Sequence, residues 1–158
     1  MLITGNIDAS LFQDDDGSVY FVWQNGRIAR MKDDMSDLAE EHRLLKPANR
    51  KHVGFEGAWL FKANGRYYLS CAEFNKRDGA RTYDCMIASA DSLDGPWSDA
   101  YLAIPHAGHN MFFKDKQGKW WATYFGNDPL VAFRERPAIL PVELDATGKI
   151  KPLLQTRK

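Results

Sequence analysis

The sequence predicts an all-β fold built from three repeated units of about four strands each. Turns that end in Gly17, Gly65 and Gly118 recur 48 and then 53 residues apart. Each turn separates a short apolar run from a strand rich in aromatic residues, and signals for helix are scarce. A period of about 50 residues is typical of the four-stranded blades of a β-propeller and is too long for most helical repeats. The chain is therefore predicted to form about three blades of a propeller.

One polar position recurs at the start of each unit. Asp8, Glu56 and His109 each lie nine residues before the glycine of the first turn. The first strand of every propeller blade lines the central axis, so we expect these three side chains to meet at one rim. Taken singly, such a carboxylate more often caps loop amides and such a histidine is more often structural. The shared register favours a functional site.

The first unit covers about residues 6–47. Residues 14–17, Asp-Asp-Asp-Gly, form its first turn, and Asn25-Gly26 is a stronger hairpin signal between two apolar runs. The polar stretch 33–41 is expected to be the loop before an outer strand. The acidic triplet lacks the spaced ligands and distal glutamate of a helix-loop-helix calcium site, so we interpret it as a solvated turn.

The second unit covers about residues 54–105. Asn64-Gly65 makes its first turn, and residues 75–82 make a longer one. Gly95-Pro96 breaks the chain, because proline cannot continue a ladder of backbone hydrogen bonds. We expect Trp97 to return after this break and cover the edge of the blade.

Two cysteines of the second unit, Cys71 and Cys85, lie on strands that a loop around Asp78-Gly79 folds together. Their midpoint coincides with that loop, which makes them candidate cross-strand neighbours. A disulfide between direct neighbours is geometrically demanding, and no cysteine framework or secretion signal accompanies the pair. Two buried thiols are therefore favoured over a structural bridge.

The third unit covers about residues 108–154, with turns at Gln117-Gly118 and Thr147-Gly148. The whole chain, 1–158, is predicted to be one domain whose ring is incomplete, because a propeller needs four to eight blades. An open ring exposes strand edges and an apolar flank. The missing arc is expected to come from a longer chain, from a second chain or from self-association, and another copy of this chain is the favoured partner.

The composition is typical of a packed globular domain, and the zero net charge favours an uncharged partner. Of the 158 residues, 44% are hydrophobic and 13% are aromatic. The 21 basic and 21 acidic residues give a formal net charge of zero, which argues against nucleic acid or an anionic membrane surface as a partner. No apolar stretch approaches the roughly 20 residues of a membrane helix. No secretory signal is visible, so localisation stays open between the cytoplasm and, with a longer amino terminus, the periplasm or the cell exterior.

Five short motifs follow one another along nearly the whole chain. They are Ile7-Asp8-Ala9-Ser10-Leu11-Phe12, Phe55-Glu56-Gly57-Ala58-Trp59, Ser92-Leu93-Asp94-Gly95-Pro96-Trp97, Gly108-His109-Asn110 and Glu135-Arg136-Pro137-Ala138-Ile139. Each motif is weak alone. In this order they resemble glycoside hydrolase family 43, the five-bladed propeller glycosidases, and the match corresponds to the carboxyl-terminal part of the catalytic module.

The resemblance implies a site of three carboxylates at one end of the channel: an aspartate general base, a second aspartate that tunes and orients the acid, and a glutamate general acid. Asp8 matches the second aspartate and Glu56 matches the acid. His109 matches a channel histidine that binds a central calcium ion or its waters. Arg136 matches an arginine near the sugar.

The proposed acid needs an environment that keeps it protonated near neutral pH, well above the ordinary glutamate value of about 4.3. Burial beside aromatic residues and the like charge of Asp8 both favour the protonated form of Glu56. Flat aromatic faces also suit sugar rings, although strand aromatics mostly pack between blades. The predicted substrate-binding residues are Arg136, His109, Phe55 and Trp59, with Trp23 and Phe74 as further aromatic candidates.

The chain departs from the family pattern at the general base, which belongs to a blade that should precede Asp8. The expected function is that of an inverting glycosidase similar to α-L-arabinofuranosidases and β-xylosidases, with the acid and the tuning aspartate present and the base absent. Its partner would be a pentose-containing oligo- or polysaccharide. The alternative is a non-catalytic carbohydrate-binding or scaffold module. Fructan-acting propellers are a third, weaker reading, since their aspartate nucleophile is also absent.

Overall fold

The computed structural model describes residues 6–77, 79–132 and 134–153, and these form three four-stranded antiparallel sheets. The all-β prediction is confirmed, since none of the described residues is helical. It follows that no helix in the described ranges has the length and apolar character needed to span a membrane.

The first sheet has four strands in chain order. They are β1 (Ser10–Gln13), β2 (Val19–Trp23), β3 (Arg27–Arg30) and β4 (Arg43–Leu44). Gly17 closes the turn between β1 and β2 with a φ of 86°, a left-handed conformation that glycine adopts without steric cost. The predicted turn glycine therefore sits where its lack of a side chain is needed.

The second sheet also has four strands in chain order. They are β5 (Glu56–Ala63), β6 (Arg66–Arg77), β7 (Ala80–Ala90) and β8 (Tyr101–Ile104). β6 and β7 have 12 and 11 residues against eight in β5. Because Glu56, the first residue of β5, pairs with Ala72, the end of β6 and the start of β7 continue beyond β5 as a two-stranded extension.

The third sheet repeats this arrangement. Its strands are β9 (Phe112–Lys114), β10 (Trp120–Phe125), β11 (Pro137–Leu144) and β12 (Ile150–Pro152). The predicted unit limits 6–47, 54–105 and 108–154 enclose the three sheets in turn, and residue 154 lies outside the described residues. The sheets are thus separate blades rather than one continuous sheet.

Two hydrophobic clusters hold neighbouring blades together. The first lies between sheets one and two and contains the fully buried side chains of Val22, Ile28 and Leu69. The second lies between sheets two and three, where the rings of Phe61 and Phe112 stack with centroids 4.7 Å apart. Burying an aliphatic or aromatic side chain of this size contributes about 1.5–3 kcal/mol. Packing between blades is therefore the main source of stability.

The two outer blades each keep one apolar face uncovered by the described chain. On the first sheet, Leu11 and Phe21 are cross-strand partners on the face opposite the first cluster, and Leu11 is half exposed. On the third sheet, Phe113 lies opposite Trp121, and Ile139 is exposed on the same face. Apolar faces of this kind suit a further blade on either side.

The cysteines show a one-residue difference from the predicted register. Cys71 pairs with Met86, and Cys85 pairs with Ala72, so the two cysteines are diagonal rather than direct neighbours. The cause is a tight turn that pairs Arg77 with Ala80; Asp78, which the prediction placed in that loop, lies outside the described residues. Both thiols are free and buried, and burial raises the pKa of each well above the ordinary cysteine value, which leaves them unreactive.

Candidate active site

Asp8 lies in the segment before β1 and reaches across to the second blade. Its φ is 61°, a left-handed conformation that aspartate and asparagine tolerate better than most residues. The carboxylate accepts a hydrogen bond of 3.1 Å from the backbone N–H of Gly57. This bond fixes Asp8 beside the residue that follows Glu56.

His109 joins them from the third blade because Gly57 has no side chain. Gly57 has a φ of 66°, and a Cβ built there would lie 3.0 Å from Cγ of His109. The imidazole Nε2 lies 3.9 Å from Oδ1 of Asp8, and 44% of the side chain remains exposed. The three positions of the repeat therefore converge at one rim, formed by Asp8, Glu56 and His109 and called the mouth below.

Glu56 is held by a tyrosine that the sequence analysis did not identify. The hydroxyl of Tyr83, on β7, donates a 2.8 Å hydrogen bond to Oε1 of Glu56. Burial raises the pKa of the Tyr83 phenol, and the hydrogen bond to Glu56 and the charges of Glu56 and Asp8 raise it further. The phenol therefore stays protonated and acts as a fixed donor to one carboxyl oxygen.

Tyr83 is itself clamped from two sides. A Cβ on Gly108 would lie 2.6 Å from Cε1 of Tyr83, so glycine is needed for the third blade to pack on the ring. The backbone N–H of Tyr83 donates to the buried carboxylate of Asp128 at 3.0 Å. These contacts make the tyrosine, and through it Glu56, a rigid part of the site.

His106 belongs to this supporting layer rather than to the mouth. Its Nδ1 lies 3.1 Å from Asp128, whose side chain is fully buried. Burial opposes the charge of Asp128, but hydrogen bonds from the N–H groups of Tyr83 and Leu130 and from His106 outweigh it and lower the pKa of this carboxyl. Asp128 is thus a charged structural anchor.

Phe55 and Trp59, the two predicted aromatic binding residues, have different surroundings. Phe55 precedes Glu56 and is half exposed, with its ring 6.2 Å from that of His52. Trp59 packs against the second hydrophobic cluster, and its indole Nε1 is buried without a hydrogen-bond partner among the described residues. Trp59 thus lies between blades.

Arg136 is exposed at the same end of the third sheet as His109. The next residue, Pro137, is the cross-strand partner of Phe125, and Phe125 in turn bridges to Gly108. The neighbouring Glu135 lies 3.6 Å from Arg134. Arg136 therefore lies near the mouth but forms no hydrogen bond or ion pair with Asp8 or Glu56, all three of which are described residues.

A groove of about 400 Å³ opens beside Asp8 on the uncovered face of the first blade. Its lining includes Phe21, Trp23, Met31 and Leu38. The groove is therefore largely apolar, with the carboxylates of Asp8 and Asp37 in its lining, and it lies where an additional blade would pack.

The mouth offers few oxygen ligands for a calcium ion. Calcium takes six to eight oxygen ligands. No group of three or more histidine, cysteine or acidic side chains in ranges 6–77, 79–132 and 134–153 is arranged to hold a metal, and the mouth contributes one imidazole beside a carboxylate already bonded to Gly57. These residues alone do not fit a calcium site.

Two known proteins align with most of the chain. A β-D-galactofuranosidase of Aspergillus niger is 28% identical over 90% of this chain and 47% of its own length. A β-xylosidase of Xylanibacter ruminicola is 26% identical over 92% of this chain and 57% of its own length. The chain thus spans about half the length of these relatives.

The same partial coverage holds for a solved structure. The family 43 protein BlXynB of Bacillus licheniformis superposes with a TM-score of 0.75 at 24% identity, over 94% of this chain and 31% of that protein. The three sheets are therefore blades of this five-bladed β-propeller fold. The sequence model of glycosyl hydrolases family 43 matches residues 2–150, which is nearly the whole chain. The chain belongs to glycosyl hydrolases family 43.

Proposed function

We propose that this chain carries the proton-donating half of an inverting glycosidase site for α-L-arabinofuranosyl or β-D-xylosyl linkages in pentose-containing oligo- or polysaccharides. The observation that supports it most is the convergence of Asp8, Glu56 and His109 from three blades onto one mouth. The names of the relatives support the substrate class, since they include xylosidases and xylosidase/arabinosidases.

Glu56 is the proton donor in this proposal. Tyr83 holds Oε1, which leaves Oε2 to carry the proton to the leaving oxygen of the glycosidic bond. Asp8 takes the role of the second aspartate and is held beside the acid by the N–H of Gly57. In an inverting enzyme a base lies about 6.5–9.5 Å from the acid and activates water on the opposite face of the sugar.

None of the described residues matches the family's general base, which belongs to a blade before Asp8. Asp84 and Asp128 are the fully buried carboxylates of this region, and both are engaged by several donors within the fold. We therefore assign the base to a further blade, contributed by a longer polypeptide or by a second chain. A second copy packed on the uncovered outer blades is the favoured arrangement, because those faces carry exposed apolar side chains such as Leu11 and Ile139.

The other residues take binding roles in this proposal. Arg136 donates hydrogen bonds to the sugar, and Phe55 presents an exposed aromatic face. His109 holds water or a sugar hydroxyl at the mouth. A calcium ion there would need most of its ligands from water and from further blades, so no step depends on it. Trp59 supports the site mainly through its packing between blades.

The second candidate is a carbohydrate-binding or scaffold module without catalysis. It is favoured by one observation: the mouth carries the residues matched to the second aspartate and the acid, but none of the described residues matches the base. Such a module would bind a pentose at the mouth and leave the glycosidic bond intact.

The test combines a mass measurement with hydrolysis. The purified chain is examined by light scattering and assayed on aryl α-L-arabinofuranoside and aryl β-D-xyloside. We expect an assembly larger than one chain, with weak or absent hydrolysis, and we expect Glu56→Gln to remove about 99% or more of any hydrolysis, since it removes the acid. Glu41→Gln, at an exposed loop position, is the matched control and should change nothing. Robust hydrolysis that survives both Glu56→Gln and Asp8→Asn would overturn the assignment.

A further inference from the structure

The β6–β7 extension, residues 73–77 and 80–84, projects past the mouth. Its strands pair without interruption from Glu73 with Asp84 to Arg77 with Ala80. At about 3.4 Å per residue, five residues reach roughly 17 Å beyond the level of Glu56. An isolated two-stranded hairpin is marginally stable in water, so this extension needs support from the rest of the molecule.

One face of the extension carries that support. The buried carboxylate of Asp84 accepts hydrogen bonds from Thr82 at 2.8 Å, Asn75 at 2.9 Å and Arg77 at 3.0 Å. Its other oxygen accepts the backbone N–H of His106 at 2.8 Å. A buried charge is stable only when its lone pairs are satisfied in this way. The bond from His106 ties the extension to the segment that follows β8.

The opposite face of the extension carries a stack of side chains that begins at Tyr83, the hydrogen-bond partner of Glu56. Phe74 is the cross-strand partner of Tyr83, and the two ring centroids are 4.7 Å apart. The guanidinium of Arg81 lies 3.7 Å above the centroid of the Phe74 ring. Tyr83, Phe74 and Arg81 therefore form a continuous column that leads outward from Glu56, called the Arg81 column below.

Arg81 ends this column as an oriented donor. It is exposed, and no carboxylate in the described part of the chain forms an ion pair with it. Stacking on Phe74 restricts the guanidinium plane, so its N–H groups are held in a fixed fork that matches paired oxygen acceptors. Adjacent hydroxyls of a sugar are acceptors of this kind.

We propose that the Arg81 column binds the sugar residue on the leaving-group side of the scissile bond, a neutral pentose whose adjacent hydroxyls accept from the guanidinium. The inference rests on the proposed function in one respect: Glu56 protonates the leaving oxygen, so the sugar bonded to that oxygen lies beside Glu56. The column starts at the residue that holds Glu56 and extends away from it. Monosaccharides, which lack a leaving-group residue, do not reach Arg81.

Calorimetric titration of the full chain with xylose, arabinose, xylobiose and α-1,5-arabinobiose tests this site. Arg81→Ala is expected to weaken disaccharide binding by about tenfold, the loss of one or two charge-assisted hydrogen bonds, while monosaccharide affinity stays within about twofold, since it makes no such bond. Arg81→Lys should fall between, because lysine keeps the charge but lacks the planar fork. Lys119→Ala is the matched control, since it removes a cation 4.8 Å from the ring of Trp121, away from the mouth.

The outcomes separate this site from the proposed catalysis. Disaccharide binding unchanged by Arg81→Ala, or no sugar binding by the unaltered chain, overturns the column as a sugar site, even where Glu56→Gln abolishes hydrolysis. Weakened disaccharide binding beside hydrolysis that survives Glu56→Gln keeps the column and overturns the acid. Phe74→Leu should weaken disaccharide binding without lowering the melting temperature, because the Asp84 network holds the extension from its other face. A large fall in melting temperature would instead assign Phe74 a structural role.

Discussion

The first strands of the three blades have two ends, and the polar residues at these ends differ in how fully they are bonded. At the mouth lie Asp8, Glu56 and His109. Six residues further along each strand lie Asp14, Lys62 and Asp115, called the turn-end residues below. The two sets lie at or beside opposite ends of β1, β5 and β9 with the same spacing, so they can be compared by the partners that each residue has.

Each turn-end residue has several hydrogen-bond or ion-pair partners within the protein. The ammonium of Lys62 contacts Asp14 at 3.0 Å and Asp15 at 2.6 Å, and the hydroxyl of Tyr67 donates to Asp14 at 2.7 Å. These bonds join the first blade to the second. Asp115 accepts the indole N–H of Trp121 at 2.8 Å together with backbone donors of its own turn.

The mouth residues are bonded more sparsely. Asp8 accepts one backbone N–H, Glu56 accepts one hydroxyl, and the imidazole of His109 is nearly half exposed. Polar groups whose hydrogen-bonding capacity is satisfied within the protein stabilise the fold. Groups with free donors or acceptors remain available for a ligand. The turn-end residues are therefore engaged within the protein, whereas the mouth residues keep hydrogen-bonding capacity for a ligand.

The largest expected effect lies at the turn end. Asp14→Ala should lower the free energy of unfolding by about 3 kcal/mol, because the partly buried Tyr67 hydroxyl loses its acceptor and Lys62 loses one of its two carboxylate partners. Urea unfolding followed by tryptophan fluorescence measures it. Asp33→Ala, which removes a carboxylate from a solvent-exposed ion pair with Arg30, should leave the midpoint unchanged. Equal effects of the two substitutions would show that the turn end does not join the blades.

A smaller effect is expected at two glycines, Gly57 near the start of β5 and Gly65 in the turn after it. Gly57 and Gly65 have φ values of 66° and 78°, but a Cβ on Gly57 meets His109 at 3.0 Å, whereas a Cβ on Gly65 meets nothing within 4 Å. Gly65→Ala should cost about 1 kcal/mol for its backbone conformation alone. Gly57→Ala should cost about 2 kcal/mol and shift the imidazole NMR signals of His109, because the added methyl displaces the ring. Identical costs and an unmoved His109 would contradict the close approach at the mouth.

The pH dependence of stability provides a subtler contrast. Burial opposes ionisation of Asp14, but bonds from Tyr67, Asp15 and Lys62 outweigh it and lower the pKa of this carboxyl below its ordinary 3.8. A carboxyl with a lowered pKa in the folded state stabilises the fold above about pH 4 and loses that contribution as pH falls through the folded value. Asp14→Asn should therefore make stability fall less steeply between about pH 5 and pH 2. A slope as steep as that of the unaltered chain would mean that Asp14 is not ion-paired in solution.

The sequence was sufficient to predict the features of the blades that depend only on spacing along one strand, namely the turn glycines and the mouth residues. Gly17, Gly65 and Gly118 all adopt the left-handed turn conformation, and counting back from them locates the mouth. Tyr83 could not be found in this way, because its contact with Glu56 depends on how far β7 extends beside the start of β5.

Two other features depend on three-dimensional packing rather than on spacing. The cysteines are displaced by one residue because a tight turn shortened the loop. The role of Gly57 becomes visible only when the third blade packs against the second. A single sequence shows neither the turn type nor the approach of a distant blade.

The smallest expected effect is at Asp8, and it is informative because it is small. Asparagine also tolerates a positive φ and keeps an oxygen that can accept the N–H of Gly57, so Asp8→Asn should change the free energy of unfolding by no more than about 0.5 kcal/mol. Urea unfolding beside Asp14→Asn measures the difference between the two ends of β1. If Asp8→Asn destabilised the chain as much as Asp14→Asn, the carboxylate at the mouth would be a structural link between blades.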